Sequence, residues 1–510
     1  MRPLGSVIPR LRWGTSIGKL IRLHRYLGTL LGVFLVIWFV SGIGMIFAGG
    51  MPELTPERRL ERMPSIDFAR VRLPPIEALA KAGLSARPER MILLTVMDRP
   101  AYRVLDGDWT TVFADTGEVL DEVTLPEILA IASRFVGVSS ADVRDGGIVR
   151  RADQWTIALR GQLPLRRIIV RDERRTELYV SPSMGEVVLE TTRSSRMLAW
   201  AAAIPHWLYL APLRINDLAW RRAVLWLAGT TVFLTLAGLA LGVTQFSPRR
   251  PFRLRDIGSY NPYVGWMRWH YLLGLIFGVF TLTWVFSGFL SMEPWDWASG
   301  EAAGEGVDGA LRGGGLELSQ YVMSRRDRWA DLLAAQRPKE IELLRIEGNP
   351  YFLAREPRSS TLLHADTLEV ARDSFSIESI LSRVAGASPG VGVIQTSVLR
   401  EPDSYYYSRL PTLPLPVLRI MFHDPAATWL YIDPALCRIV ARYTRRQRIE
   451  RWLYHGLHSL DFSFWYYNRP LWSAGVIALC LGGAASSGIG LCLGLRRVAR
   501  RTRRVLTRRK

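Results

Sequence analysis

Four runs of the chain contain no Asp, Glu, Lys or Arg: Leu27–Phe47, Ala223–Val243, Tyr271–Met292 and Leu471–Leu495. Each matches the roughly 20 apolar residues that cross a hydrocarbon core of about 30 Å. A surface helix of a soluble protein interrupts such a run with polar positions on its wet side. The pattern therefore predicts four transmembrane helices. Between the first and second runs, and between the third and fourth, the apolar period changes. Ile76–Ala82 and Leu125–Phe135 have helical spacing, whereas Tyr102–Leu105, Thr111–Ala114, Trp155–Ala158 and Leu178–Val180 read as strands. Asp115-Thr116-Gly117 is a turn signal, and the Gly/Ala/Glu-rich stretch Ser299–Gly315 reads as a flexible loop.

The chain has 510 residues, is 49% hydrophobic and carries a formal net charge of +20. That charge is concentrated beside the apolar runs. Arg2, Arg10, Arg12, Lys19, Arg22 and Arg25 precede the first; Arg249, Arg250, Arg253, Arg255 and Arg268 lie between the second and third; a basic tail follows the fourth. Cationic flanks stay on the cytoplasmic side, so both termini are expected in the cytoplasm of a bacterial inner membrane. The long segments, being nearly neutral, are expected in the periplasm. Positive-inside topology and anionic headgroups account for the charge, and no nucleic-acid partner is called for. The basic approach to the first run resembles a signal peptide, but the run is long for one and no small-residue cleavage site follows it, so the helix is expected to be retained. The three cysteines, Cys437, Cys480 and Cys492, form no CxxC site and no disulfide framework.

The halves of the chain repeat one another. At an offset of 246, His24, Gly28, Gly32, Val33, Phe34, Trp38, Ser41 and Gly42 meet identical residues, His270, Gly274, Gly278, Val279, Phe280, Trp284, Ser287 and Gly288. At an offset of 252, Arg167, Asp172, Arg196, Trp200 and His206 meet Arg419, Asp424, Arg448, Trp452 and His458. The expected fold is an α-helical four-span bundle from a tandem duplication, with two α+β periplasmic domains. Its segments are a basic N-terminus and first helix (1–48), a first outer domain (49–205), and an interfacial segment with the second helix (206–246). A basic loop (247–269), the third helix (270–292) and a second outer domain (293–450) follow. An interfacial segment with the fourth helix (451–495) and a basic tail (496–510) complete the chain.

Arg99-Pro-Ala-Tyr-Arg-Val with Val112-Phe-Ala-Asp115-Thr-Gly117-Glu-Val resembles the PepSY signature. Asn349-Pro-Tyr-Phe with Leu363-His-Ala-Asp366-Thr-Leu368-Glu-Val is a degenerate copy, with Leu368 at the turn glycine. Together with His24-Arg-Tyr-Leu-Gly at the first span, the chain resembles the PepSY-associated transmembrane family over nearly its whole length. The resemblance implies an inner-membrane protein often linked to iron acquisition, some of whose members are similar to ferrisiderophore reductases carrying b-type haem.

Of seven histidines, five lie beside the spans: His24, His206, His270, His455 and His458. Imidazole is a common axial ligand of haem iron, and two of them leave no open position, which suits electron transfer. The repeat pairs His24 with His270 and His206 with His458, predicting two bis-histidine haem b sites, one near each face. Gly28, Gly32, Gly274 and Gly278 would let a macrocycle or a helix approach. His455, whose repeat mate is Ala203, is a second candidate ligand at the outer site. A lone histidine at a membrane interface is otherwise commonly a polar anchor, and His364 and His423 read as surface residues. No dinucleotide fingerprint or phosphate loop is present, so no flavin or nicotinamide site is expected and electrons must come from a separate cytoplasmic or quinol donor. The leading expectation is a ferric-chelate or ferrisiderophore reductase, with Tyr405, Tyr406, Arg409 and Arg167 as possible contacts for the acceptor. The alternative is a non-redox PepSY membrane protein that binds or regulates a periplasmic peptidase or envelope partner. Charge-free spans argue against a coupled transporter, and the absence of a Ser-His-Asp set or HExxH argues against a hydrolase.

Overall fold

The computed structural model describes residues 15–248, 252–254, 257–295, 303–321, 337–371, 374–408 and 413–507. The chain forms two units, one of Met1–Gly50, Leu198–Trp297 and Glu450–Lys510, the other of Met51–Met197 and Ala298–Ile449.

The first unit is built on four long helices: α1 Thr15–Ala48, α2 Asp217–Thr244, α3 Gly265–Leu290 and α4 Arg469–Thr507. The shortest has 26 residues, about 39 Å at 1.5 Å per residue, enough to cross a bilayer core. All four predicted spans are helices of membrane-crossing length and apolarity. α4 outruns its apolar core: the helix continues through the basic tail to Thr507, because Arg sustains a helix as well as Leu does. α1 packs on α4, α4 on α3, α3 on α2 and α2 on α1, closing a ring. Small residues bring the backbones together. A Cβ on Gly32 would lie 3.2 Å from Leu491, one on Gly278 would lie 2.9 Å from Leu239, and one on Gly494 would lie 2.2 Å from Thr29 Oγ1. Two fold-back segments complete the unit. Before α2 comes the short helix Ala203–Trp207, ended by Leu208 in the left-handed region. Before α4 comes a π-helical turn, Trp452–Gly456, running into Leu457–Ser459 and ended by Leu460 in the same conformation.

The second unit is α+β. Its strands are β1 Arg90–Val96, β2 Arg99–Asp106, β3 Asp108–Phe113, β4 Val143–Val149, β5 Leu165–Val170, β6 Glu177–Ser181 and β7 Glu186–Thr191. After a two-stranded ribbon in the other unit (β8 Phe252–Leu254, β9 Ile257–Ser259) come β10 Glu340–Ile346, β11 Asn349–Arg355, β12 Ser360–His364, β13 Gly392–Leu399, β14 Val417–His423, β15 Trp429–Asp433 and β16 Arg438–Tyr443. Strands from both segments of this unit share one six-stranded sheet in the order β12-β11-β10-β1-β2-β3. β1 and β10 join it at the centre, antiparallel, with Met91 opposite Leu343 and Leu93 opposite Ile341. The sheet is covered on both faces: Met91, Leu93 and Tyr102 enter one core while Ile92, Leu94 and Phe113 enter another. Two four-stranded sheets, β4-β5-β6-β7 and β13-β14-β15-β16, each carry a helix, Leu125–Val136 and Ile377–Ala387.

Two local expectations are corrected. Trp155–Ala158 is not a strand; Asp153 accepts hydrogen bonds from the N–H groups of Trp155 and Thr156 and turns the chain into a 3-10 segment, Ile157–Gln162. Residues 299–302 lie outside the described residues, but the rest of the expected Ser299–Gly315 loop includes a helix, Val307–Arg312. Val307 and Leu311 are fully buried in that helix, and this i,i+4 pair outweighs the glycine-rich composition around it. At the degenerate turn, Leu368 takes the left-handed conformation that Gly117 takes in the first copy. It retains the turn bond from its N–H to the His364 carbonyl and enters the core, which offsets the backbone cost.

One polar cluster ties the two outer segments together. Arg59 bridges Glu186 at 3.3 Å and Glu340 at 2.5 Å, and buried Arg103 pairs with Glu186 at 2.6 Å. Burial opposes ionisation of Glu186, but the guanidinium groups of Arg103 and Arg59 outweigh it and hold the carboxyl below the usual range. The pair's contribution is therefore complete above the ordinary glutamate pKa and is lost as the pH falls through the lowered value. Glu186→Gln leaves Arg103 buried without its counter-charge, and about 3 kcal/mol of stability is expected to go with it. Thermal unfolding of the purified chain at neutral pH checks this, and the gap between wild type and variant should narrow in acid.

Candidate functional site

The histidines of the helical unit come together as two facing pairs. His24 on α1 and His270 on α3 have ring centres 6.3 Å apart, and His206 and His458, on the two fold-back segments, are 6.0 Å apart. Two metal–imidazole bonds of about 2 Å each, with ring centres roughly 1 Å behind the nitrogens, span roughly 6 Å.

Each ring is held from behind. His24 Nδ1 lies 3.1 Å from the Leu234 carbonyl and His270 Nδ1 lies 3.0 Å from the Ser486 carbonyl. His458 Nδ1 lies 3.2 Å from the Trp284 carbonyl and 3.0 Å from Ser287 Oγ. His206 Nδ1 lies 3.2 Å from Ser41 Oγ, whose own O–H donates to the Trp38 carbonyl at 3.1 Å. A carbonyl only accepts, so Nδ1 is the N–H in His24, His270 and His458; at His206 the Ser41 hydroxyl spends its proton on the Trp38 carbonyl and accepts, so Nδ1 is the N–H there too. In the neutral ring the Nε2 lone pair is then the free one. This is the tautomer a metal-ligating histidine needs, and the same second contact fixes the ring's direction.

Glycines make room for the rings. A Cβ on Gly238 would lie 2.7 Å from His24 Cε1, and one on Gly490 would lie 2.7 Å from His270 Cε1. Gly42 faces His206 at 3.5 Å and Gly288 faces His458 at 3.8 Å. Leu234 and Ser486, like Gly238 and Gly490, are 252 positions apart; Ser41 and Ser287 are 246 apart. Neither Gly490 nor Gly238 is among the glycines that the sequence alone singles out. The missed signal is their common offset combined with their helical distance of four from Leu234 and Ser486. Gly28 and Gly274 instead face Leu234 and Ser486 Oγ across helix contacts.

Seventeen residues of α1 separate His24 from Ser41, so the pairs stand about 26 Å apart along the helix. The core between them includes Phe39, packed 5.8 Å from Trp284. The Trp284 indole Nε1 is buried with no partner among the described residues, one turn from the serine that touches His458. His455 lies edge-on to Tyr454 at 4.9 Å, and Tyr454 stacks on His458 at 5.2 Å, so His458 is the ring set against His206. The π-helical turn that holds His455 has no counterpart in the first fold-back segment, where Ala203 occupies the equivalent position. Next to it, Arg451 and Asp461 form a buried ion pair at 3.2 Å.

Among the described residues no group of three or more His, Cys, Asp or Glu side chains could hold a metal ion. Two imidazoles are the full protein complement of a bis-ligated haem iron. The fixed tautomers and the ring spacing fit that group at both pairs, and the unpartnered Trp284 indole N–H adds to the fit at the His206/His458 pair.

The other expected contacts fall elsewhere. Tyr406 is buried against Tyr431, and its hydroxyl donates to the Pro414 carbonyl. Tyr405 lies edge-on to Trp429, and Arg167 donates to the Gly146 carbonyl. Arg409 lies outside the described residues. His364 packs on Tyr351, and His423 is exposed.

No curated protein matches the chain. A family profile described as the PepSY-associated TM region matches residues 21–497, and with four apolar helices of crossing length, the chain belongs to this membrane-protein family.

Proposed function

We propose that this chain is an inner-membrane electron-transfer protein with b-type haem at two bis-histidine sites, arising from a tandem duplication. The observation that carries the reading is that four of seven histidines form two facing pairs, three rings anchored through Nδ1 to a main-chain carbonyl and His206 through Nδ1 to the Ser41 hydroxyl. His24 with His270, and His206 with His458, would hold the iron, and the bound group would supply a one-electron carrier at each pair. The chain's residues orient the ligands, keep Nε2 deprotonated and surround the path with apolar side chains that exclude water.

The basic segments orient the protein with both termini in the cytoplasm, so the His24/His270 pair is nearer the cytoplasm and the His206/His458 pair nearer the periplasm. Electrons from a separate cytoplasmic or quinol donor would pass in that order to a periplasmic acceptor. A ferric siderophore or other ferric chelate is the acceptor class proposed, since one-electron reduction weakens hard oxygen ligation and frees the iron. The outer unit, with its two PepSY-like segments, would guide that acceptor.

The test is a dithionite-reduced-minus-oxidised spectrum of protein purified from haem-replete cells. Soret and α-band changes amounting to two b-haems per chain are expected. A featureless difference spectrum would leave the histidines as interfacial anchors and the chain as a non-redox envelope protein.

A further inference from the structure

A groove of about 490 Å³ runs along one side of the helical unit between α2 and α3. Its walls are almost wholly apolar, with Gly229, Phe233 and Phe289 along its length and Leu27 of α1 at its inner end. Phe289 packs beside Gly229, where a Cβ would meet its ring at 3.4 Å, so the missing side chain helps to keep the slot open. At the other end stands Arg222, exposed and without a hydrogen-bond or ion-pair partner among the described residues. Trp226 and Trp295, 75% and 72% exposed, flank it as interfacial tryptophans do. From Arg222 to Phe233 is eleven residues, about 16 Å of helix, which is about half the thickness of a bilayer core. The groove is thus one leaflet deep, greasy throughout and cationic only at its mouth.

We propose that this groove is a specific site for one phospholipid of the bilayer with an anionic headgroup. Its phosphate pairs with Arg222, and an acyl chain lies along Gly229 and Phe233 to Leu27. Apolar burial holds the chain, and the guanidinium, with a geometry suited to phosphate, selects the head. The inner end of the groove reaches the histidine site: Leu27 is one turn from His24, and Phe233 precedes Leu234, whose carbonyl holds the His24 ring. The lipid tail therefore closes the flank of that pair. The inference rests on the groove and does not depend on haem.

The test is native mass spectrometry of the full chain released from nanodiscs holding equal amounts of phosphatidylglycerol and phosphatidylethanolamine. The wild type is expected to retain one phosphatidylglycerol. Arg222→Gln, at an exposed position, should lower that retention at least fivefold without disturbing the bundle. Gly229→Leu fills the slot beside Phe289 and should abolish retention of both lipids. Wild-type retention of phosphatidylglycerol by either variant, equal retention of the two headgroups by the wild type, or an isoprenoid or no lipid in the wild type, overturns the proposal.

Discussion

His270→Ala is expected to remove about half of the haem bound per chain and to leave only the His206/His458 pair's share of the reduced spectrum. The reason is the division of labour between elements. His24 and His270 sit on α1 and α3, and their Nδ1 partners are carbonyls of α2 and α4, so the inner site draws on all four long helices. His206 and His458 sit on the fold-back segments and take their second contacts from the far ends of α1 and α3. With about 26 Å of helix between them, the pairs share no ligand. Removing one imidazole from a pair would leave only one of the two side chains that would hold a haem there. His458→Ala should remove the complementary half. Haem-to-protein ratios and reduced spectra of the two variants check this. Losses of equal size with identical residual spectra would place both histidines at one site and end the two-site reading.

Much of this site can be read in the sequence because its histidines are long-range repeats of one another. An offset of 246 relates His24 to His270 and Ser41 to Ser287; an offset of 252 relates His206 to His458. The identical positions therefore include both histidine pairs and the serines behind His206 and His458. The spans were legible for a different reason, since a run without charge and of bilayer length has few other uses. What could not be read depends on contacts between distant segments. β1 and β10 are 250 residues apart and pair at the centre of a shared sheet, yet each is an ordinary alternating strand by itself. Composition misled at Val307–Arg312, where burial of two side chains imposed a helix on a glycine-rich stretch. At His206 the depth is not readable from the sequence, because 17 residues separate it from the apolar run; the short helix Ala203–Trp207 packs against α1 and sets His206 beside Ser41.

The glycines beside the rings separate the two sites more sharply than the ligands do. Alanine at Gly490 would place a methyl group 2.7 Å from His270 Cε1, and alanine at Gly238 would place one 2.7 Å from His24 Cε1. Neither distance is tolerable between carbons, which gain most from contact at about 3.5–4.0 Å. Something must move, and the helix backbone around each glycine is continuous, so the ring moves. A displaced ring cannot keep both its Nδ1 bond to Ser486 or Leu234 and its Nε2 direction toward the partner imidazole. Gly490→Ala is therefore expected to lower occupancy of the inner site severalfold while both of its histidines remain in the sequence. At the outer pair the same change is mild: Gly42 and Gly288 face their rings at 3.5 and 3.8 Å, ordinary contact distances. Gly288→Ala should keep full outer haem. Since alanine favours a helix over glycine by up to about 1 kcal/mol, all of these variants should retain the bundle, and circular dichroism can establish that they do. The informative measurement is haem content site by site, using His270→Ala and His458→Ala as spectral references. If Gly490→Ala and Gly288→Ala retain haem equally, the close approach at Gly490 does not set the ring, and the inner pair is held by its carbonyl contacts alone.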